Sequence, residues 1–134
     1  MIRITIDASA VVAIILNEPT RHKIIKVTTG SEVISPASLT WEVGNALSAN
    51  LKRNRITLEQ ALLACQVYDQ MKIRVVDVDL QQSLRLAREM NIYAYDAFVL
   101  QCAISHNTPL LCLDAQMCRL AKACSIEIIE VIYD

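Results

Sequence analysis

Four carboxylates in this chain are placed for shared chemistry: Asp7, Glu42, Asp96 and Asp114. Asp7 closes the alternating, β-branched stretch Ile2-Arg3-Ile4-Thr5-Ile6, which predicts a short strand. Residues 8–16 are almost wholly apolar, without glycine or proline, and predict a buried helix. Asp114 repeats the arrangement. It follows Leu110-Leu111-Cys112-Leu113, the continuous apolar run expected of a fully buried parallel strand, and precedes a predicted helix over 115–124. If both strands are central and parallel, the two acids project from one rim, where open α/β sheets place their ligand sites. Asp96 sits at the start of a helix, just after a turn. Glu42 lies two turns into a mostly apolar helix, between Trp41 and Val43.

Carboxylates converging without a basic partner repel one another, which raises their pKa values and costs stability. A divalent cation resolves the conflict, and oxygen-only ligands select Mg²⁺ or Mn²⁺ over zinc or copper. An ion held by few carboxylates keeps several waters. One of them can attack a phosphate while the metal steadies the developing charge. Plainer readings stand beside this one. Asp96 and Asp114 could each cap a helix, and Glu42 could be a peripheral helix residue. Neither a cap nor a turn clearly needs Asp7, because Ser9 could cap the first helix. Spacing alone does not bring the four acids together.

The elements that must position them follow in order. Asn17-Glu18-Pro19 breaks the first helix, and 20–29 predicts a short surface helix carrying Arg21, Lys23 and Lys26, stopped by Gly30. Val33-Ile34 predicts a short buried strand, with Ser35-Pro36 as N-cap and first turn of the next helix. That helix carries the apolar stripe Leu39, Val43, Ala46, Leu47 and Leu51, with Glu42 and Asn45 near its edge. It ends in Lys52-Arg53-Asn54-Arg55. Thr57 with Gln60 is a capping-box pattern, opening a helix with Leu58, Ala61, Leu62, Cys65 and Tyr68 on one side. A third strand is predicted over 74–78. Asp79 with Gln82 opens a further helix through Leu84, Ala87 and Met90, and 95–105 predicts another with Phe98, Val99, Cys102 and Ala103 inward. The last strand is predicted over 126–132. Strands alternating with helices predict a single three-layer α/β/α domain over 1–134, with a central, mostly parallel sheet.

Composition excludes more than it assigns. The chain has 134 residues, 54% of them hydrophobic, enough for a proper core. A formal net charge of −1 does not advertise a nucleic-acid binder, so any basic patch must be local. With only two glycines, neither GxGxxG nor GxxxxGK[ST] occurs, which disfavours nucleotide phosphate loops. Cys65, Cys102, Cys112, Cys118 and Cys124 form no CxxC pair and, with His22 and His106, no plausible zinc spacing. They read as reduced thiols in a cytoplasmic core. No run approaches the roughly 18–20 apolar residues that span a bilayer.

Taken together, Ile6-Asp7-Ala8-Ser9-Ala10, Trp41-Glu42-Val43-Gly44-Asn45-Ala46-Leu47, Tyr95-Asp96-Ala97 and Leu110-Leu111-Cys112-Leu113-Asp114 resemble the PIN domain family. The resemblance is to its small VapC-type toxins of toxin–antitoxin pairs. It implies a PIN-like fold and a metal-dependent endoribonuclease, with Asp7, Glu42, Asp96 and Asp114 as the acidic site holding Mg²⁺ or Mn²⁺. Ser9 matches a small hydroxyl residue beside the first acid. Cys112 departs from the family pattern, in which threonine is common two residues before the last acid, and a thiol donates hydrogen bonds more weakly. The resemblance also implies a homodimer and a small antitoxin lying across the active-site groove.

An RNA substrate would need cations near the acidic site. Lys52, Arg53 and Arg55 are the densest cluster, though a solvated helix end accounts for them equally. Arg21, Lys23 and Lys26 are a second candidate. Two competing readings remain: a binding module on the same fold, with cleavage lost through Cys112, and a phosphoryl-accepting domain using Asp7. The second lacks the expected Asp-x-Asp, since position 9 is Ser.

Overall fold

The computed structural model describes residues 2–131. In chain order the elements are β1 (Arg3–Ile6), α1 (Ala8–Ile15), α2 (Arg21–Thr28), β2 (Glu32–Pro36), α3 (Leu39–Lys52) and α4 (Leu58–Gln70). There follow β3 (Ile73–Val76), α5 (Leu80–Met90), α6 (Ala94–His106), β4 (Leu110–Leu111), α7 (Ala115–Ala123) and β5 (Ile128–Ile129). The strands form one sheet in the order β3-β2-β1-β4-β5, and every pairing is parallel. Among the described residues, no helix is long and apolar enough to cross a membrane.

Strand alternation divides the core between two faces. Ile4, Ile6 and Leu111 pack with Val11 and Ile14 of α1, Ile24 of α2, Leu39, Val43 and Leu47 of α3 and Ala64 of α4. Leu110 points the other way, into a cluster with Val99, Leu100 and Ala103 of α6 and Met117 and Ala121 of α7. Thr5, between Ile4 and Ile6, also faces α6. Its buried hydroxyl lies 2.6 Å from the Thr108 hydroxyl and 3.7 Å from the Cys102 sulfur. The three-layer expectation is thereby met.

The sheet order matters most for the site. From β1 the chain steps outward to β2 and β3, then returns to the other side of β1 to lay down β4 and β5. The direction of winding reverses between β1 and β4. Connections leave their carboxyl ends in opposite directions, opening the crevice in which such sheets bind ligands.

Several local expectations are corrected. Ser35 and Pro36 continue β2 against Val75 and Val76 of β3 and do not open α3. A residue before proline is pushed toward extended backbone, which favours this outcome. Ser38 takes the N-cap position instead, without capping through its side chain. The 110–113 run is strand only at Leu110 and Leu111, because both flanking strands stop at that level. β5 is likewise short, and Ile132 of the predicted strand lies outside the described residues. On α4 the buried positions are Ala61 and Ala64, whereas Leu58, Leu62 and Cys65 are exposed. Cys65 is therefore no core thiol; Cys102 and Cys112 are buried. The capping box at Thr57 and Gln60 forms in both directions, at 3.1 and 2.8 Å.

Candidate active site

Asp7 is set by the end of β1. Its N–H donates to the Leu111 carbonyl at 3.0 Å, extending the β1–β4 ladder by one bond. It occupies the N-cap position of α1 without the usual side-chain cap to the second or third N–H of the helix. Instead Oδ2 accepts from Ser9 Oγ at 2.9 Å, and that oxygen accepts in turn from the Leu113 N–H at 3.2 Å. Ser9 is thus no cap. It bridges Asp7 to the loop that leads into Asp114. Asp7 is buried, and burial pushes its pKa up; the Ser9 hydrogen bond opposes this and the charge of Asp96 adds to it.

Glu42 stands in the first turn of α3, one turn from its start, not two as expected from the sequence. The hydroxyl of Ser38, four residues back, donates to its Oε2 at 3.4 Å. The side chain is half-buried, and its pKa is pushed up to about 7, first by burial and then by the charges of Asp7 and Asp96. Asp96 lies in the first turn of α6, past the N-cap position, which belongs to Tyr93. Its pKa is raised by burial and then by Asp114. Asp114 is exposed and does cap α7: Oδ1 accepts from the Gln116 N–H at 3.3 Å. The capping reading and a place in the cleft both hold for this residue.

All four acids line one open cleft of about 990 Å³ at the carboxyl ends of β1 and β4. Ser9 and Leu113 line it too, together with Glu18, Trp41, Asn45 and Tyr95. Glu18 is an acid that sequence reasoning passed over as part of a helix break. No lining residue is basic. The carboxylates therefore have no cation among the lining residues, and for Asp7, Glu42 and Asp96 burial first and neighbouring acids second raise the pKa. Among the described residues, however, no three His, Cys, Asp or Glu side chains form a ready-made metal cage. The donor set still fits a hard, hydrated ion. Mg²⁺ uses one or two carboxylates directly and keeps its other waters, so acids spaced around a cleft suit it better than they would suit zinc.

The other candidates fall outside the cleft lining. Cys112 is buried, its sulfur 2.8 Å from that of Cys118, and burial followed by Cys118 raises its pKa. Its thiol contacts Cys118, while the Gln116 N–H holds Asp114. Lys52, Arg53 and Arg55 are exposed at and beyond the far end of α3. Ten residues of helix separate Lys52 from Glu42, about 15 Å at the helical rise. Arg21, Lys23 and Lys26 belong to α2.

Comparison with known proteins follows the same lines. Curated protein sequences give no match. Among solved structures, PAE2754 from Pyrobaculum aerophilum superposes with a TM-score of 0.70 at 24% identity, covering 90% of this chain and 81% of its own. VapBC2 from Rickettsia felis, solved bound to a DNA fragment from its promoter, gives 0.68 at 12% identity, with 96% and 98% covered. VapC20 from Mycobacterium tuberculosis, a toxin that cleaves the sarcin–ricin loop, gives 0.66 at 14% identity, with 94% and 98% covered. At these identities the likeness is one of fold. The sequence profile of the PIN domain matches residues 4–123, from β1 to the end of α7, and on that match the chain belongs to the PIN domain family.

Proposed function

We propose that this chain is a metal-dependent endoribonuclease, the toxin of a toxin–antitoxin pair, which hydrolyses RNA phosphodiester bonds. The observation that carries the reading is the single cleft at the β1–β4 reversal, lined by Asp7, Glu42, Asp96 and Asp114 and by no basic side chain. Four acids, three of which have their pKa raised first by burial and then by one another, form a poor arrangement unless a cation is the intended occupant. Family membership and the fold shared with VapC20, whose substrate is an RNA loop, support the same reaction class.

In this reading Asp7, Glu42, Asp96 and Asp114 would hold Mg²⁺ or Mn²⁺, which would supply an activated water and offset charge on the phosphate. The chain's own residues do the positioning. Ser9 fixes the Asp7 carboxylate through the 2.9 Å bond and locks the 112–114 loop beside it. Ser38 steers Glu42. The pKa of Glu42, pushed up to about 7 by burial and then by its acidic neighbours, means that ion binding there would compete with a proton. Cys112 lends support from below, through the packing of the β4–α7 loop. Lys52, Arg53 and Arg55 would meet the strand only well beyond the reacting phosphate.

An antitoxin covering the cleft and a homodimer complete the proposal, with the cytoplasm as its place of action. The exposed leucines of α4 and α5, Leu58, Leu62, Leu63, Leu80 and Leu84, support surfaces that partners cover. A second reading, a binding module with weakened catalysis, draws on the absence of a ready-made three-ligand cage among the described residues.

The deciding experiment is cleavage of defined RNAs with Mg²⁺, with Mn²⁺ and with EDTA. We expect cleavage with either ion, none in EDTA, and a loss of about 100-fold or more in Asp7→Asn. Cleavage that survives EDTA or is unchanged in Asp7→Asn ends the proposal. RNA binding without cleavage under any ion selects the second reading.

A further inference from the structure

The cleft must hold a polyanion without offering it a positive charge. None of its lining side chains is Lys, Arg or His. It does offer two large aromatic rings. Trp41 lines it from α3 and is 70% exposed; Tyr95 lines it from α6 and is 52% exposed. The two helices belong to opposite layers of the fold, so the rings stand on two walls. Each immediately precedes an acid of the cleft, Glu42 or Asp96.

Packing does not account for these rings. The buried stripe of α3 is Leu39, Val43 and Leu47. Trp41 is two residues from both Leu39 and Val43, about 200° around the helix, and so points away from the core. Tyr95 shares its helix face with the buried Val99 and Cys102, but it stands at the very start of α6, where that face runs out into the cleft and leaves half of the side chain exposed. Its ring is braced edge-on against Phe98, with centroids 6.1 Å apart and planes at 85°. In such a T-shaped contact at most one face of the tyrosine ring is taken up, and the other is left for a ligand.

From this we infer that Trp41 and Tyr95 are the substrate-positioning residues of the cleft. They stack the unpaired bases flanking the scissile phosphate, so that bases rather than phosphates set the register of the strand. The inference rests on the ribonuclease reading above. Aromatic side chains bind bases through their faces, with little regard to sequence, and only unpaired bases present those faces. A duplex, or a backbone stripped of bases, is therefore a poor ligand.

Trp41 is the single tryptophan of the chain, so its emission reports on this wall alone. The test titrates Asp7→Asn protein, and separately the wild type in EDTA, with a single-stranded oligoribonucleotide, its abasic counterpart and the corresponding duplex. Quenching by the single strand, with at least tenfold weaker response to the other two, is expected. An equal response to all three, or no response to any, overturns the inference. In turnover with Mg²⁺, Trp41→Leu and Tyr95→Leu should each raise KM about tenfold or more while kcat changes less than threefold, and Trp41→Phe and Tyr95→Phe should restore most of the loss. Unchanged KM in both leucine variants, with robust cleavage, removes the stacking role and leaves the nuclease standing. Base-dependent quenching without cleavage by the wild type does the reverse.

Discussion

Glu42 shows how one residue's surroundings become a property of the protein. Its folded pKa of about 7 exceeds the ordinary value of 4.5, first because the side chain is half-buried and then because Asp7 and Asp96 are near. Between those two values the folded chain keeps a proton that the unfolded chain has released. Stability of the metal-free protein must therefore fall as pH rises through that window. The raised pKa values of Asp7 and Asp96 act in the same sense. After allowance for partial exposure, we expect Glu42 to account for a loss of about 1–2 kcal/mol between pH 5 and 7.5. Urea midpoints at the two pH values, without divalent ions, should show it, and Glu42→Gln should flatten the difference. A wild-type midpoint that rises with pH contradicts the site's electrostatics. Thr20 gives a second test. Its hydroxyl is buried and has no hydrogen-bond partner among the described residues, so Thr20→Val should stabilise by about 1 kcal/mol, read as a higher thermal midpoint. A lower midpoint would mean that the hydroxyl is satisfied in solution.

Among the elements, the β1–α1 junction and the β4–α7 loop behave as one unit because Ser9 joins them. Asp7 had a sequence signal, since a strand that stops on an acid is visible in Ile4-Thr5-Ile6-Asp7. The family resemblance marked Ser9 as the hydroxyl beside Asp7, but not its second partner, Leu113, which is more than a hundred residues away in the chain. Ser9→Ala removes both hydrogen bonds. It should cost about 1–2 kcal/mol in urea unfolding and weaken metal-dependent activity by about tenfold. Lost stability with full activity would confine Ser9 to a structural part. The helix α4 teaches the opposite lesson. Its capping box was readable from Thr57 and Gln60, whose contacts are local. Its buried face was misread, because Leu58 and Leu62 advertise a core they do not enter, while the small Ala61 and Ala64 let α4 approach closely.

On the scale of the whole molecule, the reversal of winding between β1 and β4 places the cleft, and the exposed leucines mark where the proposed partners would dock. Leu62 is 55% exposed, so Leu62→Glu should leave the thermal midpoint nearly unchanged. If α4 forms the proposed dimer interface, light scattering should find a dimeric wild type and a monomeric variant. A dimer that survives the substitution clears α4, and the same substitution at Leu84 then tests α5.

The sequence by itself determined the alternation of strands and helices, the caps built from neighbouring residues, and the two apolar runs that lead into Asp7 and Asp114. These are written in contacts a few residues long, and periodicity and side-chain chemistry report them directly. Only the tertiary structure decided which strands lie side by side, where the winding turns back, and which helices bring Glu42 and Asp96 to the same rim. It alone decided that Trp41, Tyr95 and Glu18 border the cleft and that Lys52, Arg53 and Arg55 do not. Those outcomes depend on how two apolar faces of one sheet are covered at once, and no short stretch of chain carries that information.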